Sequence, residues 1–166
     1  MRVHLREVDE EVLDQLLRTA VQDAAAHEVT PPLTPGPAWT PERITWFLEH
    51  HRRARSGVDG PAGEATWAVA LEGRPVGAVR LRRLDADTLE TGIWLARSAR
   101  GCGAGTRAMR AVLARARQER ADVLTAETAA ENRAMRTILH GLGFVPGIEA
   151  PPGRVSMSLP LAAGRR

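Results

Sequence analysis

Residues 88–118, TLETGIWLARSARGCGAGTRAMRAVLARARQ, constrain the fold of this chain more than any other stretch. Thr88–Leu95 is a short run with branched and aromatic residues, which predicts a strand. Arg100-Gly101-Cys102-Gly103-Ala104-Gly105-Thr106 follows as a glycine-spaced loop. Met109, Val112, Leu113 and Ala116 then recur at helical spacing, with arginines between them. A glycine loop that opens a helix leaves several backbone N–H groups unpaired. With the helix dipole, those donors form a ready anion site. Glycine matters there because a side chain would hold a phosphate away from the backbone. The stretch therefore predicts a pyrophosphate cradle behind a strand, although a plain tight turn would use the same glycines.

Two common phosphate cradles do not fit. A Walker loop needs Gly-Lys-Ser/Thr, and the chain has no lysine. A dinucleotide fingerprint needs G-x-G-x-x-G; Gly101 and Gly103 begin it, but Thr106 stands where the last glycine should be. Arg100-x-x-Gly103-x-Gly105 instead resembles the acyl-CoA loop of the GNAT superfamily of N-acetyltransferases, Arg/Gln-x-x-Gly-x-Gly/Ala. Glu90-Thr91-Gly92-Ile93-Trp94-Leu95 before it is similar to the fourth strand of the RimJ/RimL-type ribosomal-protein N-acetyltransferases.

A length of 166 residues predicts one compact domain. An apolar content of 43% is enough for a real core. No window approaches a membrane span of ~18 apolar residues, so no membrane association is expected. Met1–Glu11 is charged and lacks the apolar stretch of a signal peptide. Cys102 is the single cysteine, so no internal disulfide can form, which fits the cytoplasm. The net charge is +3 although the pI is near 10.7; all 23 basic residues are arginines, whose high pKa lifts the pI. These arginines are scattered and no aromatic stacking platform accompanies them, so a nucleic-acid partner is not expected.

From the N-terminus, Arg2–Arg6 alternates as a first strand. Asp9 is an N-cap, and Val12, Leu13, Leu16, Leu17, Ala20 and Val21 form one apolar face, predicting a helix over Asp9–Ala26. His27–Pro41 holds five of the eleven prolines and reads as a loop, in which Trp39 reads first as a packed anchor. Thr40-Pro41 opens a second helix, running to about Arg55, with Ile44, Phe47, Leu48 and His51 on one face. Val58–Glu64 is a loop. Thr66–Leu71 and Val76–Leu84 form a hairpin across Glu72–Pro75. The glycine-loop helix runs to Arg120, and Asp122–Glu127 is a strand parallel to Thr88–Leu95. Asn132–Leu142 is a helix capped by Gly143. Phe144-Val145 and Arg154–Leu161 are final strands, and Ala162–Arg166 is a disordered tail.

The resulting order, β-α-α-β-β-β-α-β-α-β-β, is the GNAT order. Asn132-x-x-Met135 with Gly143-Phe144 is similar to a second motif of that family. The resemblance implies an α/β fold: a mostly antiparallel sheet with one splayed parallel strand pair, flanked by helices, as a single domain over 1–166. It implies acetyl-CoA as acyl donor and an amine acceptor, either a protein N-terminus or a small molecule. No metal is implied, and a homodimer is compatible with it. Ile93, Trp94 and Leu95 would pair with the pantetheine arm. The amides of Gly101, Cys102, Gly103, Ala104, Gly105 and Thr106, with Arg100 ahead of them, would cradle the pyrophosphate. Asn132 would bond the pantetheine or phosphates, unless it is a helix N-cap. For the base that deprotonates the amine, Glu127 and Glu90 both match family positions. A tyrosine commonly acts as acid seven residues after the asparagine; Leu139 stands there, and the chain has no tyrosine. His140 is a substitute for it or a structural residue. A non-catalytic acyl-CoA-binding module is the alternative reading.

Overall fold

The computed structural model describes residues 1–147 and 149–161; the tail expected at 162–166 lies outside them. Strands β1 (Val3–Glu7), β2 (Glu64–Leu71), β3 (Arg74–Arg83), β4 (Thr88–Leu95), β5 (Val123–Ala129), β6 (Val145–Pro146) and β7 (Arg154–Pro160) make one sheet. Its order is β1-β2-β3-β4-β5-β7-β6. All neighbours are antiparallel except β4 and β5, which run parallel. That parallel pair is joined by helix α4 (Ala104–Ala116), as a crossover requires. The β2–β3 hairpin closes through Glu72-Gly73 alone, both with positive φ (49° and 83°). Two left-handed residues give the type I′ turn that matches strand twist.

Side-chain alternation gives the sheet two different faces. Val79, Leu81 and Leu89 meet Met109, Val112 and Leu113 of α4 in one core, which continues through Leu124, Leu139 and Phe144. Each such fully buried side chain contributes roughly 1.5–3 kcal/mol of transfer free energy. The opposite face carries Ala68, Ala78 and Trp94. They pack under helix α1 (Glu10–Asp23) and helix α3 (Pro41–Arg53), through Val12, Leu13, Leu16 and Phe47. Further along that face the small residues give way to Glu64, Thr66, Arg80, Arg82 and Glu90, which are polar and sit under the last turns of α3.

Several boundaries differ from expectation, each for a visible reason. The first helix stops at Asp23 rather than Ala26, and helix α2 (Ala26–Val29) follows inside the stretch read as loop. Trp39 donates its indole N–H to the Ala24 carbonyl (3.0 Å), and Ala26 N–H donates to Pro37 O (2.8 Å). The proline-rich loop thus captures the groups a longer helix would use. Trp39 is an anchor, edge-on to Phe47 at 5.9 Å. Helix α4 ends at Ala116, not Arg120. Strand β5 continues past Glu127 to Ala129 because β7 pairs with it to the end. Glu127 therefore lies within a strand and does not end one.

Candidate functional site

The parallel pairing of β4 with β5 runs from Thr88↔Val123 to Thr91↔Ala126 and then stops. Beyond it, Gly92–Leu95 stay on β3, while Glu127–Ala129 stay on β7. A wedge opens between the two strands. Ala96 N–H donates to Val76 O, toward β3. Backbone direction alternates along a strand, so Trp94 also faces β3, while the amides and carbonyls of Ile93 and Leu95 turn to the wedge. The Leu95 carbonyl is taken by Arg100, whose Nε and Nη2 donate at 3.0 and 2.9 Å.

The glycine loop closes one end of this wedge. Gly101 and Gly103 hold φ of 76° and 87°, a backbone that other residues adopt with strain. Gly103 is the N-cap of α4 and offers no side-chain cap. Among the described residues, the amides of residues 101–106 have no protein acceptor. That is the unpaired donor set the sequence predicts. The loop is braced from behind: Ser98 N–H donates to the Asp23 carboxylate (3.0 Å), and Arg100 pairs with Glu28 (3.0 Å). The Arg100 guanidinium thus holds the loop's frame. Cys102 is exposed, its thiol directed at Ala99 O (3.3 Å). Ala104 and Gly105 are buried and Thr106 is half-buried. A Cβ on Gly105 would stand 3.2 Å from Ile138, so this glycine also lets helix α5 (Arg133–Gly141) approach α4.

Asn132 caps α5, its Oδ1 accepting from Met135 N–H at 3.1 Å. The cap uses the carbonyl oxygen and leaves the side-chain amide donors free. Leu139 is fully buried in the core, and His140 sits on the exposed side of α5.

On the α3 side the wedge widens into a cleft of about 850 Å³. Ile93, Trp94, Glu127 and Asn132 line it, together with Trp46, His50, Glu64, Arg80 and Arg82. The sequence reading missed that second group. A Cβ on Gly92 would stand 3.0 Å from Arg80 Nε, so the glycine gives room for the arginine across the strand. Arg80 and Arg82 both donate to Glu90 Oε1, at 2.8 and 2.9 Å. Glu127 is paired with Arg154. Of the two carboxylates predicted as bases, Glu127 lines the cleft and Glu90 lies behind Arg80 and Arg82, outside its lining; each has one oxygen already taken by arginine. The missed residues left one legible signal. Glu64, Thr66, Arg80, Arg82 and Glu90 put polar groups at alternate positions of central strands, on a face a helix should cover with apolar residues.

His51 is buried and bonded through Nδ1 to Thr66 Oγ1 at 2.8 Å. Burial, with the nearby His50 and Arg55, pushes its pKa down to about 3. His50 is stacked on Trp46, ring centres 4.5 Å apart, and its Nδ1 is 3.3 Å from Glu64 Oε2. Burial lowers its pKa, and the Glu64 charge opposes that shift. Among the described residues no group of three or more His, Cys, Asp or Glu could hold a metal, and no helix is long and apolar enough to cross a membrane.

Solved structures share this arrangement. The GNAT domain of a Streptomyces lividans protein named PAT superposes with a TM-score of 0.72 at 18% identity, covering 96% of this chain and 90% of that one. RimJ of Mycobacterium smegmatis, solved with CoA-disulfide, gives 0.72 at 21% identity over 95% and 81%. The putative acetyltransferase yncA of Salmonella typhimurium, solved with acetyl-CoA, gives 0.65 at 19% over 97% and 95%. At these identities the likeness shows the fold. No curated protein matches the chain. The family model described as acetyltransferase (GNAT) domain matches residues 2–145, which hold β1 to β5 and both flanking helix layers. The protein belongs to the GNAT acetyltransferase family.

Proposed function

We propose that this protein moves an acetyl group from acetyl-CoA to a primary amine, on a peptide N-terminus or a small molecule, by direct attack of the amine. The observation that carries the reading is the parting of β4 from β5 beside a loop of unpaired amides. A pyrophosphate fits those amides without displacing any protein bond, and the α4 dipole adds to them. The wedge-facing backbone of Ile93 and the N–H of Leu95 offer an edge to an extended amide arm, and the side-chain amide of Asn132 flanks it. Bound there, acetyl-CoA supplies an activated acyl thioester, and the cleft under α3 takes the acceptor. The Glu90-x-Gly92-x-Trp94 strand supports a RimJ/RimL-like acceptor, a protein N-terminus.

The test is a thermal shift with acetyl-CoA followed by thiol release with a panel of amines. A hundredfold excess over Kd should stabilise the fold by about 2.7 kcal/mol. No stabilisation would remove the CoA site from the argument. The buried Leu139, which leaves no acid at the usual tyrosine position, favours a second reading, a non-catalytic acyl-CoA-binding module. Thiol release with any amine excludes that module. A thiolate leaves with little help at neutral pH, so a missing acid is compatible with turnover.

A further inference from the structure

The α3 wall of the cleft brings together groups that the acetyl-transfer reading above does not use. His50 projects from α3 over Glu64 of β2, with its Nδ1 3.3 Å from Oε2. Such a contact favours the tautomer with the proton on Nδ1, leaving a lone pair on Nε2. Among the described residues no protein group bonds Nε2, that atom is not buried, and His50 lines the cleft. Trp46 stacks on the ring at 4.5 Å and 10°, which fixes its plane. Glu64 is held in turn by Arg80 at 3.9 Å, and Arg80 by Glu90 at 2.8 Å.

The register sets this group beside the wedge. Glu64, Arg82 and Glu90 form one row across the sheet, and Thr66, Arg80 and Gly92 form another. The last β4–β5 pair, Thr91↔Ala126, falls between those rows. The histidine–glutamate pair therefore sits over the sheet at the level where the strands part.

We propose that His50 is the base that deprotonates the acceptor amine, with Glu64 as its positioning residue; this rests on the acetyl-transfer reading. The acceptor enters as an ammonium. Nε2 of His50 takes one proton, directly or through one water, and the ring becomes an imidazolium. The freed nitrogen lone pair attacks the thioester carbonyl carbon, and a C–N bond forms. The C–S bond then breaks and the electron pair leaves on sulfur. The remaining surplus proton on nitrogen goes to the thiolate, and the imidazolium returns its proton to solvent. The products are amide, thiol and one proton. Glu64 holds the ring's other nitrogen and stabilises the imidazolium as it forms. Glu90 and Glu127 serve as counter-ions, to Arg80 with Arg82 and to Arg154.

The groups facing the ring agree with this role. Burial lowers the His50 pKa; Glu64 raises it, and Arg80 and Arg53 lower it. His51 lies edge-on at 5.2 Å and is itself held neutral by burial. A neutral ring at neutral pH is ready to accept a proton.

The experiment uses the full chain with an amine that the wild type acetylates. His50→Gln should lower kcat/KM by about 10²–10⁴, the range of a lost general base, with acetyl-CoA affinity unchanged by calorimetry. Glu64→Gln should lose less, and its acidic limb in the pH–rate profile should move to lower pH, because a charge that raises the ring's pKa has gone. A structural role alone would not move that limb. Imidazole ¹⁵N spectra of the wild type at pH 7 should show His50 neutral with its proton on Nδ1, whether or not the variants fold. A His50→Gln enzyme at wild-type rate, a Glu127→Gln or Glu90→Gln enzyme that alone loses 10²-fold, or a ring charged or protonated on Nε2 alone would overturn the assignment. Those outcomes leave acetyl transfer standing. A wild type that binds acetyl-CoA and turns over no amine overturns both.

Discussion

The glycine loop and the α3 wall of the cleft are built from different material. The loop presents backbone: the amides of residues 101–106, aimed by two left-handed glycines and one helix start. All of it lies within a few residues of sequence. The wall presents side chains: His50 from α3, Glu64 from β2 and Arg80 from β3, with Glu90 of β4 holding Arg80 from behind, and they meet through sheet register. The difference teaches where each half should be sensitive. A backbone site fails when the chain path or local charge changes. A side-chain site fails when one supporting contact goes.

The largest expected effect strikes the wall. Phe47 is fully buried, edge-on to Trp39, His51 and Trp94 at 5.9, 4.7 and 6.2 Å. Phe47→Ala should cost about 3–5 kcal/mol by lost transfer energy and cavity. Urea unfolding measures it. A loss below about 1 kcal/mol would mean the wall does not hang on this ring.

In the loop, Gly103→Glu places a carboxylate among the free amides and should weaken acetyl-CoA binding more than about tenfold, or 1.4 kcal/mol. Gly103→Asn is the control, because asparagine tolerates the left-handed conformation that glycine holds at φ 87°. It should stay within a few fold, and calorimetry reads both. Equal losses in the two variants would assign the effect to strain, and the backbone half of the comparison would lose its charge argument.

This contrast also explains what the sequence could disclose. The strand, loop and helix of 88–118 announced themselves because glycine spacing and helical periodicity are local signals. The parallel β4–β5 pair followed from the crossover, and the cap at Asn132 followed from its residue type ahead of a helical pattern. His51 was legible as part of an inward face, yet its bond to Thr66 was not, since the partners are 15 residues apart and meet only through packing. The His50–Glu64 contact and the arginines on Glu90 needed the register of three strands, which one chain read linearly does not carry. The early end of α1 was hidden for the same reason, since Trp39 and Pro37 impose it from across the loop.

The histidines give the wall a pH signature near neutrality that the loop lacks. The loop's braces, Asp23 and Glu28, have pKa values lowered from the ordinary carboxylate range, the first by hydrogen bonds from Ser98 and the second, against the opposing effect of burial, by Arg100. His51 in the fold has a pKa of about 3, below its ordinary value of 6.5. Below pH 6.5 the unfolded ring takes a proton that the native ring refuses. Stability contributed by the neutral ring is therefore lost as pH falls from 6.5 toward 3. His50 acts in the same direction. Between pH 7 and 5.5 the loss should be about 1 kcal/mol. Glu10, held down to about 2 by Arg52 and Arg55, keeps its contribution at every pH above its ordinary 4.5 and loses it only as pH falls from there toward 2, so it adds no slope between pH 7 and 5.5. His51→Asn should flatten the slope between pH 7 and 5.5 in denaturant titrations. A slope unchanged by the substitution would mean that the buried ring is not its source.

The smallest expected effect returns to the loop and asks whether its side chains matter. Cys102 is exposed, with its thiol turned to Ala99 O. A serine there keeps the same short hydroxyl-for-thiol contact and leaves the amides where they are. Cys102→Ser should change acetyl-CoA affinity and kcat/KM by less than about threefold, under 1 kcal/mol. Alkylation of the wild-type thiol with a bulky reagent should instead block binding, because it fills the space before the amides rather than altering their chemistry. The pair of results separates occupancy from identity. A dead serine variant with an acetylated cysteine in mass spectra of the wild type would make the loop a side-chain site after all. The acetyl group would then pass through sulfur before it reached the amine, and the cleft histidine would act on a second step, not the first.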